Sequence, residues 1–210
     1  MISEDKRAEL LLSHYNDTFQ HLLYYWKLRN RLFVYILVLL ALMSLDTASP
    51  GILGQWVNAY IAKTLESKGQ TAAALNFAVI GSLAWFTLLC LVINYYQRSI
   101  HVDRQYRYLD HVEKQLCGLM GDDCITREGK SYYSTKGVYK PGETGQRPLY
   151  LRWVGPLYTY FFPIFIILFT IYRLRVDVLP HSVASGFNVF VGIVLIGYNL
   201  VYLWWVKFRA

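Results

Sequence analysis

Residues 178–206, VLPHSVASGFNVFVGIVLIGYNLVYLWWV, hold no Asp, Glu, Lys or Arg over 29 positions and run directly into Lys207. About 20 apolar residues are enough to cross a hydrocarbon core of roughly 30 Å. A run this long is also too long for an ordinary buried helix. The chain reads as a membrane protein, and its other segments take their meaning from the bilayer.

Three further runs follow the same logic. Residues 32–45 (LFVYILVLLALMSL) form a short one, which reaches spanning length, roughly 27–47, if the flanking cations snorkel. Ser49, Pro50 and Gly51 end it, because proline cannot continue the helical ladder and glycine permits a turn. Residues 69–97 form a second long uncharged run, closing on Tyr95, Tyr96 and Arg98. A third lies at 153–172, with Pro163 predicting a kink inside it. The expected fold is therefore an all-α integral membrane protein with four transmembrane helices. The expected organisation is a cytoplasmic amphipathic helix (1–31), a first transmembrane hairpin (32–97), a cytoplasmic stalk and hairpin (98–152) and a second transmembrane hairpin (153–210). Residues 52–65 are too short to span and carry Trp56, Val57 and Tyr60 at one-face spacing, which predicts an interfacial helix on the outer side. The acidic, lengthy stretch before residue 32 is the wrong shape for a cleaved signal peptide and is expected to be retained.

Two segments between the charges have helical spacing. Ala8, Leu12, Tyr15, Phe19, Leu22 and Trp26 recur at alternating steps of four and three, a heptad seam. It suits docking onto the chain's own cytoplasmic part or the headgroups, or else an oligomer contact. Val102, Tyr106, Leu109, Val112, Leu116 and Met120 extend the second span as a stalk, with no helix breaker before Gly121. Beyond it, ITREGKSYY (125–133) reads as a small β-hairpin around Gly129, followed by a loop rich in glycine and proline.

Charge fixes the expected orientation. With four spans, the N-terminal, central and C-terminal segments hold 17 of the 21 Lys and Arg residues. That asymmetry puts both termini and residues 98–152 in the cytoplasm, with the cell (inner) membrane as residence. The net charge of +7 is explained by this orientation; basic residues are interleaved with acids, so no nucleic-acid partner is expected.

The chemistry expected from the sequence is sparse. Cys90, Cys117 and Cys124 form no CxxC pattern, and their spacing to His101 and His111 matches no zinc site. His14 and His21 sit about two turns apart on one helix, roughly 10 Å, too far to chelate one ion. Residues 137–145, GVYKPGETG, lack the order of a phosphate-binding loop. No cofactor, metal or catalytic residue is assigned, and the chain is expected not to be an enzyme. An enzymatic reading would rest on His101, Asp103, Asp110 and His111. Intramembrane Asp, Glu, Lys, Arg and His are sparse, Asp46 and His181 falling at the outer interface, which argues against ion-coupled transport.

The polar groups left in the spans are chiefly Asn94, Asn188 and Asn199. The last two lie on nearly one face, with Gly192 about 40° away. They are the candidate helix-contact or pore-lining residues. Tyr15, Phe19, Arg127, Lys130 and Tyr132 are the candidate contacts for a cytoplasmic partner. The expected function is a non-enzymatic, oligomeric membrane protein, a signal-responsive effector or anchoring subunit able to perturb the membrane. The alternative is a small-molecule or lipid permease.

A short chain with four spans, inside termini and an aromatic-rich insert around residues 125–133 resembles the small four-span membrane components of bacterial antiphage defence systems, the Kiwa-type membrane subunit among them. The resemblance is one of layout across the whole chain, and it carries over no residue roles. It implies a homo-oligomer in the lipid bilayer working with a separately encoded cytoplasmic protein.

Overall fold

The computed structural model describes residues 4–48, 52–66, 77–120, 154–177 and 183–209. Its elements are α1 (Glu4–Ala48), α2 (Ile52–Glu66), α3 (Phe77–Met120), α4 (Val154–Pro156), a π-helical turn (Leu157–Phe161), α5 (Phe162–Asp177) and α6 (Val183–Arg209). Every described element is helical, and four helices are long and apolar enough to cross a membrane. The β-hairpin expected at 125–133 and its following loop lie outside the described residues.

The helices divide between two compact units. One comprises Met1–Leu32 and Tyr95–Arg152, the other Phe33–Asn94 and Trp153–Ala210. We call them the charged and the apolar unit. Both α1, at 45 residues, and α3, at 44, contribute to each unit without a break. The sequence accounts for this continuity. Neither stretch contains proline, and the only glycines in α3, Gly81 and Gly118, lie near its ends.

In the charged unit, α1 and α3 pack through a core of Tyr15, Leu22, Leu109, Val112 and Leu116, with Leu11, Phe19 and Tyr106 half-buried against it. The face of α3 is the one its periodicity predicts. The face of α1 is rotated from the predicted seam. Leu12 and Trp26 are exposed, while Thr18 is buried and Leu11 joins the core. The reason is a hydrogen bond: the Thr18 hydroxyl donates to the His14 carbonyl at 2.8 Å. A threonine satisfied by its own helix can be buried like an aliphatic residue, so a search for apolar residues alone misplaces the stripe.

In the apolar unit, Ile36, Leu40 and Met43 of α1, Trp85, Leu88 and Val92 of α3, Ile166 of α5 and Val191 and Leu195 of α6 are buried. Phe33 meets Tyr158 and Phe162 with ring centroids 4.9 and 4.8 Å apart. The outward faces are also apolar, with Val34, Leu83, Leu168, Phe190 and Val201 all exposed. Apolar residues on both faces are what a helix in lipid requires.

The irregularity expected from Pro163 is a π-helical turn immediately before it. The Phe162 amide donates to the Leu157 carbonyl, five residues back, in place of the usual four. Pro163 has no amide hydrogen and its ring crowds the preceding turn, so widening that turn relieves the clash. Helix α2 forms as expected at 52–65 with Trp56 and Tyr60 exposed, and its last residue is Glu66.

Candidate functional site

Two polar clusters stand out, one in each unit. In the charged unit, the Tyr15 hydroxyl donates to the Glu113 carboxylate at 2.9 Å, and both side chains are fully buried. Four residues before Glu113 lies Leu109 and three after it Leu116, so the heptad spacing of α3 carries this carboxylate onto the packing face. A carboxylate there is tolerated because a phenol from the facing helix satisfies it. Nearby, His14 Nε2 and the Tyr108 hydroxyl approach to 2.6 Å, with their rings edge-on.

Toward the other end of the same helix pair, the His101 ring meets Tyr25 edge-on at 4.3 Å, and the Arg98 guanidinium lies 5.0 Å over the Tyr25 ring. Gln105 Nε2 lies 3.3 Å from His101 Nε2, and an amide N–H donated there requires a deprotonated ring nitrogen. Burial, then Arg98, Arg104 and His21, hold the His101 imidazole below its ordinary value of 6.5. Residue 101 lies past the uncharged run of α3, which ends at Gln97. An open groove lined by Asp17, Gln20, His21, Tyr24 and Tyr25 lies on α1 beside this cluster.

The depressed imidazole makes a pH prediction. Between its folded value and 6.5 the unfolded chain binds the proton more readily, so stability is fully present above 6.5 and falls as the pH drops toward the folded value. His101→Gln removes that titration. Thermal midpoints of the full chain in detergent, scanned from pH 8 to 5, are expected to show a flatter acid limb for the variant than for the wild type.

The second cluster surrounds Arg173, near the end of α5. One guanidinium nitrogen donates to the Met43 carbonyl at 3.1 Å and to the Thr47 hydroxyl, and the other reaches Asp46 at 2.8 Å. Thr47 in turn donates to the Met43 carbonyl at 2.7 Å. The guanidinium is buried against the last turn of α1, where the helix dipole is negative. The third uncharged run ends at Tyr172, which leaves Arg173 just beyond the expected span. In the structure α5 continues to Asp177, and the guanidinium is a buried packing group.

On α6 the predicted stripe is turned inward: Ser185, Asn188, Val191, Leu195, Asn199 and Tyr202 are all buried. Asn199 donates to the Leu195 carbonyl of its own helix at 2.7 Å. Gly192 faces Leu174 of α5, and a Cβ at this position would come within 2.9 Å of both Leu174 methyl carbons. Gly192 thus permits a close helix approach. Gly192→Ala is expected to destabilise the full chain by about 1 kcal/mol in an unfolding titration, and Leu174→Ala in the same chain to recover part of that loss.

The remaining predicted residues are spread apart. Asn94 is exposed and donates to the Cys90 carbonyl of its own helix at 2.9 Å. Tyr15 is buried in the charged unit and Phe19 half-buried against it. Arg127, Lys130 and Tyr132 lie outside the described residues. The four residues of the enzymatic reading do not converge. Asp103 pairs with Arg107, Asp110 with Lys114, and His111 with Gln115, each within one helix. Sequence reasoning passed over Arg173, Glu113 and Tyr25. The signal for the first was available, since Asp46 and Arg173 carry opposite charge at the ends of two apolar helices. No family model, curated protein or solved structure matches the chain.

Proposed function

We propose that the chain is a non-enzymatic, signal-responsive effector or anchoring subunit of the inner membrane, assembled as a homo-oligomer and working with a separately encoded cytoplasmic protein. The observation supporting this reading is the pair formed by α1 and α3. Each is one unbroken helix shared by the charged and the apolar unit. The two are joined in the charged unit by a buried, specific Tyr15–Glu113 hydrogen bond as well as by apolar packing. A partner or ligand that altered this pairing would act on the same two helices that supply bilayer-length apolar segments. The likeness in layout to small four-span antiphage components supports a role in defence.

The test is reconstitution of the full chain in vesicles filled with a quenched dye. Dye release that increases when the pair is weakened by Glu113→Gln, together with a cross-linked oligomer in detergent, is the expected result. Vesicles that stay sealed with both proteins, and a chain that remains monomeric, overturn the reading.

A further inference from the structure

Four cations of the charged unit, Lys27, Arg29 and Arg31 on α1 and Arg98 on α3, have no acidic partner among the described residues. From residue 18 to 45 α1 contains no Asp or Glu, and neither does α3 from 77 to 102. The nearest carboxylates along the chain are Asp17, about 15 Å along the helix axis from Lys27, and Asp103, which is engaged by Arg107 at 3.2 Å. Among the described residues none of the four forms an ion pair. Elsewhere in the same helices Lys6, Arg107 and Lys114 each have an acidic partner within one turn. Arg7 and Arg104 also lack an ion pair among the described residues, but within the charged unit it is Lys27, Arg29, Arg31 and Arg98 that border the uncharged runs.

Its geometry is specific. Tyr15 opposite Glu113 and Tyr25 opposite His101 set an antiparallel register for α1 and α3. Arg29 lies one turn beyond Tyr25 on the same face, which puts it opposite the turn holding Arg98. The Arg98 guanidinium is steered by the Tyr25 ring, and its Nε is buried with no hydrogen-bond acceptor among the described residues. Arg29 is half-buried and, among the described residues, donates only to the neighbouring Asn30, at 3.3 Å. Lys27 and Arg31 are exposed on the far face of α1, about 160° round the helix from Arg29. Two half-buried guanidiniums with unfilled donors match a phosphate with its several acceptor oxygens. Both helices also become apolar within a turn of these residues: α1 after Arg31, α3 before Gln97. A phosphate carried on acyl chains satisfies both features, and a free phosphate satisfies only the first.

We infer that Arg29 and Arg98 bind the headgroup phosphate of an anionic phospholipid, with Lys27 and Arg31 adding only to the positive potential around that turn of α1. The site rests on membrane residence and is independent of the effector reading, so either can fail alone. The test is native mass spectrometry of the full chain released from nanodiscs of equal phosphatidylglycerol and phosphatidylcholine. Phosphatidylglycerol should be retained in preference. Arg29→Gln with Arg98→Gln should reduce that preference by roughly tenfold or more, at about fivefold per cation removed. On the wild-type chain, which does not depend on a variant folding, added phosphatidylglycerol should raise the thermal midpoint while 20 mM inorganic phosphate should not. Equal retention of the two lipids, an unchanged preference in the double variant, or equal protection by inorganic phosphate each overturns the proposal.

Discussion

Arg173→Ala is expected to lower the unfolding free energy of the full chain in detergent by about 3 kcal/mol, read from a denaturant titration. The side chain is buried and makes three contacts with one turn of α1: the Met43 carbonyl, the Thr47 hydroxyl and the Asp46 carboxylate. Truncation removes them together and leaves Asp46 without its cation. Asp46→Asn should cost less, about 1 kcal/mol, because the carboxylate is one-third exposed and the guanidinium keeps its other two acceptors. Arg173→Lys should resemble Arg173→Ala more than the wild type, since an ammonium is a point donor and these acceptors are spread to suit a planar fork. If Asp46→Asn proved as costly as Arg173→Ala, the ion pair alone would hold this corner and the fork argument would fail.

This corner also shows what the sequence makes legible and what it hides. Charge-free length revealed the apolar segments, because a bilayer demands it and few other environments do. The continuity of α3 was readable as a stalk from the uninterrupted apolar spacing of residues 102–116. By contrast α1, read as a separate helix to residue 31 and a span from 32, is one helix from Glu4 to Ala48. Side-chain satisfaction was not legible. Arg173 reads as a helix exit until Asp46 and the Met43 carbonyl are known to lie beside it. Thr18 reads as a surface residue until its hydroxyl is seen bonded to His14. Asn188 and Asn199 could be assigned to one face from their spacing. That the face turns inward on the protein depends on Gly192 and Leu174, whose approach no periodicity encodes. Polar residues were the consistent source of misplacement, because their burial depends on partners brought in by the fold.

The same dependence makes the Tyr15–Glu113 pair the second large effect. Tyr15→Phe keeps the ring and its packing but removes the hydroxyl that donates to Glu113 at 2.9 Å. The carboxylate stays buried with its hydrogen bonding weakened, at an expected cost of about 2 kcal/mol. Glu113→Leu should cost less than that, because it replaces a buried charge with a side chain of similar volume, and the Tyr15 hydroxyl loses only a neutral group's satisfaction. Combining the two leaves an apolar pair in a core already built from Leu22, Leu109, Val112 and Leu116, and the double variant should be nearly as stable as the wild type. The coupling is thus strongly non-additive, and a double-mutant cycle measures it from unfolding titrations of four full-length chains. Near-additivity would mean that the bond contributes little to pairing. Strong coupling carries a functional corollary. The apolar double variant would hold α1 and α3 together without a polar contact to set their register, so it should keep its stability and lose its response to any signal that acts by breaking that contact.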